Sequence, residues 1–175
     1  NDKWPDGKKR YQCMYTDGLK NGPELAWREN GERKLAAKFK AGVQEGEKKE
    51  WWENGQIRSI TTYLNGKPHG EAKGWHDNGR VARVVKYEEG VPVGKNEGWW
   101  KNGARAEIIT YLNGKPDGYS TKWYSNGKTN RIIFSRDGVR HGVETTWHPN
   151  GQKKMQLTYQ GGKPVGEVIE WHPNG

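Results

Sequence analysis

The pair Asn-Gly stands at 30–31, 54–55, 78–79, 102–103, 126–127, 150–151 and 174–175, always 24 residues apart, with Asp6-Gly7 in the same phase. A period kept this strictly limits the fold to repeated small units, each packing against its neighbours. Three positions before each Asn stands a Trp: Trp27, Trp51, Trp75, Trp99, Trp123, Trp147 and Trp171. One glycine column runs from Gly18 through Gly66 to Gly162, and another, four residues later, from Gly22 through Gly70 to Gly166. An aromatic column, Tyr15, Phe39, Tyr63, Tyr87, Tyr111 and Tyr159, breaks at Ser135, where Phe134 stands one place early. Residues 1–175 thus read as a single array, with units at approximately 6–29, 30–53, 54–77, 78–101, 102–125, 126–149 and 150–173. The Trp column together with Gly66, Gly70 and Gly79 reads as structural. Ending on "WHPNG" leaves a half-finished unit, so a longer array is expected.

Each unit reads as a β-hairpin. Segments such as "IRSITTYL" (57–64) are rich in β-branched residues and bounded by Gly, Asn and Pro. Asn and Gly both tolerate positive φ, which makes the pair a hairpin signal. A three-residue loop at this turn is favoured over a two-residue one. It places the Trp column on the face of the Tyr column and of Thr61, Val85, Ile109, Ile133 and Leu157, giving one buried stripe. The expected fold is all-β: an elongated, twisted, single-layer antiparallel sheet of about fourteen strands. Only 31% of residues are hydrophobic and mean hydropathy is -1.19, values common in disordered chains. Ten Trp and eight Tyr supply what aliphatic residues do not, since each buries on the order of 150–250 Å².

The unit "YLNGKPHGEAKGWHDNGR" (63–80) and its copies resemble the variant MORN repeat (membrane occupation and recognition nexus). Bacterial proteins similar to it are labelled YwqK-type antitoxins. The resemblance implies a β-ribbon binding scaffold and, for the antitoxin-like members, an immunity protein that holds a toxin inactive. MORN arrays are also associated with phospholipid membranes and dimerisation, so a structural or membrane-associated scaffold is the second expectation.

Catalytic chemistry finds no footing. "GVPVGKN" (90–96) has three residues between its glycines where a phosphate loop has four, and Asn96 where one has Ser or Thr. His76, His148 and His172 share a column whose closest members lie about 9.6 Å apart by strand spacing, too far for one zinc. The reading is therefore a non-enzymatic chain with no catalytic residue, metal or cofactor. No signal peptide or apolar membrane span is visible, which leaves bacterial cytoplasm and cell envelope both open.

A binding surface is expected in a column that varies while its side chains stay large. The position after each Trp does so: Arg28, Trp52, His76, Trp100, Tyr124, His148 and His172. Its aromatic and basic side chains are the types enriched at interface hot spots. The register places this stripe away from the Trp column, beside Lys38, Lys86 and Lys122, with Trp52 and Trp100 as the main contacts. A net charge of +9 suggests an acidic protein partner. Membrane lipid and self-association through open sheet edges are further expectations, while interspersed acids argue against nucleic acid.

Overall fold

The computed structural model describes residues 2–174, so the final Gly175 of the last Asn-Gly pair lies outside them. It divides into two compact units between Val91 and Pro92, and the 24-residue phase runs through the division. In the first unit the strands are Asp2–Lys3, Lys9–Thr16, Leu19–Trp27, Arg33–Lys40, Val43–Gln44, Gly46–Trp51, Ile57–Leu64, Lys67–Pro68, Gly70–Trp75 and Val81–Glu88. Val91–Trp99 leads into the second, followed by Arg105–Leu112, Lys115–Pro116, Gly118–Trp123, Thr129–Arg136, Val139–Trp147, Lys153–Gln160 and Lys163–Glu170. The described residues form no helix, and neighbouring strands pair antiparallel within each unit. The expected fourteen strands are present. The described total of 18 arises because three of them are split near a glycine and the short Asp2–Lys3 strand is added.

Two kinds of turn alternate. At the Asn-Gly turns the N–H of Arg28 donates to the Glu32 carbonyl (2.8 Å) and the N–H of Gly31 to that of Arg28 (2.9 Å). This is the three-residue loop, and it recurs at Trp52, His76, Trp100, Tyr124 and His148. Only the glycine takes positive φ here, as at Gly79 (80°). The asparagine serves through its amide instead. Asn102 Oδ1 accepts the N–H of Ala104 at 2.9 Å, and its Nδ2 donates to the Ser125 carbonyl one repeat on at 2.6 Å. Asn54, Asn126 and Asn150 make the same pair of bonds. An Asp can accept but not donate, so Asp6 takes the N–H of Lys8 at 3.0 Å and cannot make the second bond.

The other turns are two-residue connections with both residues at positive φ, as at Asn65 (51°) and Gly66 (77°). That is the type I′ geometry, which suits the twist of adjoining strands. Beyond the turn, Phe39 pairs with Gln44 but Ala36 with Lys49, so two extra residues bulge out, Gly46 among them at φ 76°. Gly70 occupies the same place in the next copy at φ 76°. Ala41 and Glu89 hold the type I′ position that Asn65 and Asn113 fill elsewhere, at φ 46° and 49°. A side chain with Cβ pays about 1–2 kcal/mol in this region, and Asn pays less because it bonds locally. Ala41→Asn and Glu89→Asn should each stabilise the first unit by about 1 kcal/mol. Denaturant midpoints check this, and a lowered midpoint for both would refute it.

Buried hydrophobic residues are few: Ala37, Val85 and Ile133, all in one column. The expectation of one stripe shared with Trp is corrected by a second bulge. Trp27 pairs with Arg33, but Ala26 pairs with Leu35, which leaves Lys34 as an extra residue. The same shift leaves Arg58, Ala82, Ala106, Asn130 and Lys154 extra in later copies. One added residue moves the rest of the strand to the other face. The Tyr column and the Ala37 column therefore share a face with Glu24, Glu50 and Lys122, while the Trp column lies on the opposite face. There Lys9 sits 5.6 Å from the Trp27 ring centroid, Arg33 5.9 Å from Trp51 and Lys153 5.4 Å from Trp171.

Candidate interaction surface

The stripe Arg28, Trp52, Tyr124 and His148 lies on the Tyr-column face, because each residue alternates with its Trp neighbour across the bulged register. Trp52 accordingly shares a groove with Lys48, Glu50, Ser59, Thr61 and Tyr63. Of the lysines expected beside the stripe, Lys122 pairs with Glu107 and Arg131 on this face, whereas Lys38, opposite Pro23, belongs with Lys86 to the Trp face.

The variation in this stripe has a common denominator. Arg28 Nη2 donates to the Trp51 carbonyl at 2.8 Å, Trp52 Nε1 to Trp75 at 2.9 Å and Trp100 Nε1 to Trp123 at 3.0 Å. Tyr124 Oη donates to Trp147 at 2.7 Å, and His148 Nε2 lies 2.9 Å from the Trp171 carbonyl. Four side-chain types thus carry a nitrogen or hydroxyl to the same carbonyl 23 residues on. His76 closes its loop through its backbone, with N–H to the Arg80 carbonyl at 2.8 Å. At these five positions the stripe links a repeat to the next within its unit, and its outer surfaces remain open to varying degrees: Trp52 is half-buried while Trp100 is 42% exposed. Trp4 stands in the same column, 24 residues before Arg28, with Arg10 stacked 5.1 Å from its ring centroid. Sequence reasoning missed it by starting the column at the first Trp-x-x-Asn-Gly, although the spacing alone would have found it.

The unit that breaks the aromatic column gives the second feature. Ser135 fills the Tyr position and is buried, whereas Phe134 pairs with Tyr119 and His141 on the Trp face. The Phe134 and Tyr119 rings meet edge to face at 5.1 Å and 67°. Tyr119 is 66% exposed and Val143 52%, and with His141 and Gly142 they line a small cleft. The one-place shift carries this aromatic to the other face, where the half-buried Phe134 meets exposed Tyr119 and Val143.

Behind this unit a buried carboxylate, Glu144, is met by the half-buried Arg131. Arg131 Nε is 2.6 Å from Glu144 Oε1, and Arg140 Nη1 is 3.8 Å from Oε2 of the same carboxylate. Among the described residues no group of three or more His, Cys, Asp or Glu side chains gathers in a metal-holding arrangement.

No curated protein matches the chain. The family model described as MORN repeat variant matches residues 44–65 and 140–160, each running from the strand before a Trp, through the three-residue loop, to the strand after it.

Proposed function

We propose that this chain is a non-enzymatic protein-binding repeat scaffold of the immunity type, which holds a partner toxin inactive by covering it. The observation that carries the reading is the Tyr119, Phe134 and Val143 patch. A solvated sheet face gains nothing from such a group, and exposed apolar clusters containing aromatics mark interaction sites. The wider surface agrees, since exposed large apolar residues outnumber buried ones among the described residues. The resemblance of the repeat to YwqK-type antitoxins supports the immunity role.

The test is capture from native lysate by the tagged chain and by its Tyr119→Ala/Val143→Ala variant. Both side chains are exposed, so the variant should fold with an unchanged melting temperature while retaining at least tenfold less partner. A partner whose expression alone arrests growth, and whose toxicity this chain relieves on co-expression, supports the immunity role. Equal capture by both forms, or sedimentation with anionic vesicles in place of protein capture, would overturn the reading.

A further inference from the structure

Gly74 is a glycine without a structural reason. It lies inside the strand Gly70–Trp75, its φ is not in the positive range, and a Cβ there would meet only the Arg58 carbonyl oxygen at 3.7 Å, an ordinary contact. Equivalent positions hold Ala26, Glu50, Gly98, Lys122, Thr146 and Glu170, so the column accepts side chains of very different size. A strand glycine is entropically costly, and such positions often mark the close approach of a ligand or another backbone. With Ala82 beside it, Gly74 opens a groove of 540 Å³ within the first unit, walled by Trp52, Trp75, Arg58 and Arg83.

The charges in this groove are unequal. Lys48 pairs with Glu50 at 2.9 Å, and Ser59 Oγ donates to the same carboxylate at 2.8 Å. Burial raises the Glu50 pKa, but the bonds from Lys48 and Ser59 outweigh it, so the carboxyl lies below its ordinary value and stays ionised. Arg58 is the bulge residue of its strand, turned to stack 4.7 Å from the Trp52 ring centroid. Arg83 is exposed, and Arg58 lies near enough to Glu50 to help hold its carboxyl down, while no direct ion pair joins either arginine to a carboxylate among the described residues. With Lys48 they outnumber the single Glu50 carboxylate of the groove, and the two guanidiniums flank an indole platform.

From this juxtaposition we infer that the groove over Gly74 is a docking site for an extended acidic segment of a protein partner, its carboxylates taken by Arg58 and Arg83. Guanidinium binds carboxylate in a bidentate fork, and charge complementarity across an interface sets partner choice. Glu50 and the hydroxyls of Ser59, Thr61 and Tyr63 add acceptors to the wall. A peptide offers them a row of backbone N–H groups, whereas a phosphodiester has no donor to offer and inorganic phosphate at most its P–OH groups. The inference deepens the protein-binding reading by naming the partner's chemistry.

The experiment is an NMR titration of the isotope-labelled full chain with capped tetraglutamate, against capped tetraglutamine, inorganic phosphate and a ten-residue oligothymidylate. Tetraglutamate should move the Trp52 indole N–H resonance in a saturable way, and tetraglutamine should not. Arg83→Gln should weaken binding at least fivefold, and Arg58→Gln/Arg83→Gln should abolish it. Gly74→Val should block binding without lowering the melting temperature, because valine suits a strand better than glycine. The inference is overturned if the double arginine variant binds equally well, if tetraglutamate leaves Trp52 unmoved, or if phosphate or the oligonucleotide moves it more. A partner protein still captured by the double arginine variant, but lost by Tyr119→Ala/Val143→Ala, would remove the groove and leave the scaffold reading standing.

Discussion

Arg131→Ala should cost the second unit about 3 kcal/mol, while Arg131→Met combined with Glu144→Leu should restore most of that stability. Glu144 is buried, and Arg131 is its close partner at 2.6 Å. Removing one member leaves a charge that the sheet has already taken out of water, a loss of about 3–5 kcal/mol in comparable buried pairs. Arg140, at 3.8 Å and more exposed, compensates only in part, which places the expected loss at the lower end. Replacing both members removes the penalty along with the attraction, and an apolar pair next to buried Ile133 packs as the rest of that column does. Urea midpoints of the two variants decide between this account and a surface pair of little consequence. Two small, additive losses would show that the ion pair is not held in a desolvated place.

How much of this was legible depends on whether a feature disturbs the 24-residue phase. The period itself, the turn at each Asn-Gly and the β-rich segments between them follow from glycine placement and β-branched content, whereas the three-residue loop is expected from a single aromatic face that the register does not keep. The face of the Trp column does not follow. The bulge that leaves Lys34, Arg58 and Ala82 unpaired occurs in every copy, so it shifts register without changing the spacing of any column. Asn54 and its equivalents were legible as turn residues but for a different reason, since the amide's second bond crosses to a turn 23 residues away. Phe134 was visible as a departure from the pattern. Its consequence, an aromatic on the Trp face beside Tyr119, required the register. Arg83 and Gly74 drew no notice at all, because no column rule is broken by an arginine without a partner or by a glycine in a strand.

Trp52→Leu should destabilise the first unit by about 2–3 kcal/mol, whereas Trp52→Tyr and Trp52→Arg should each cost under about 1 kcal/mol. Leucine keeps apolar bulk but has no donor for the Trp75 carbonyl, now reached by the indole at 2.9 Å, and no ring beneath Arg58. The lost bond is worth about 1 kcal/mol and the cation–π stack about 0.5–1, with the remainder from lost burial. Tyrosine and arginine already perform the same link elsewhere, from Tyr124 to Trp147 and from Arg28 to Trp51. If the column were selected for contact alone, leucine would be no worse for folding than arginine, and the midpoints of the three variants would coincide. If it is selected for reach to a carbonyl one repeat on, stability follows the donor and not the hydrophobicity of the side chain. Binding is then free to use whichever outer surface the donor leaves exposed, which allows one column to join the repeats and still differ from copy to copy.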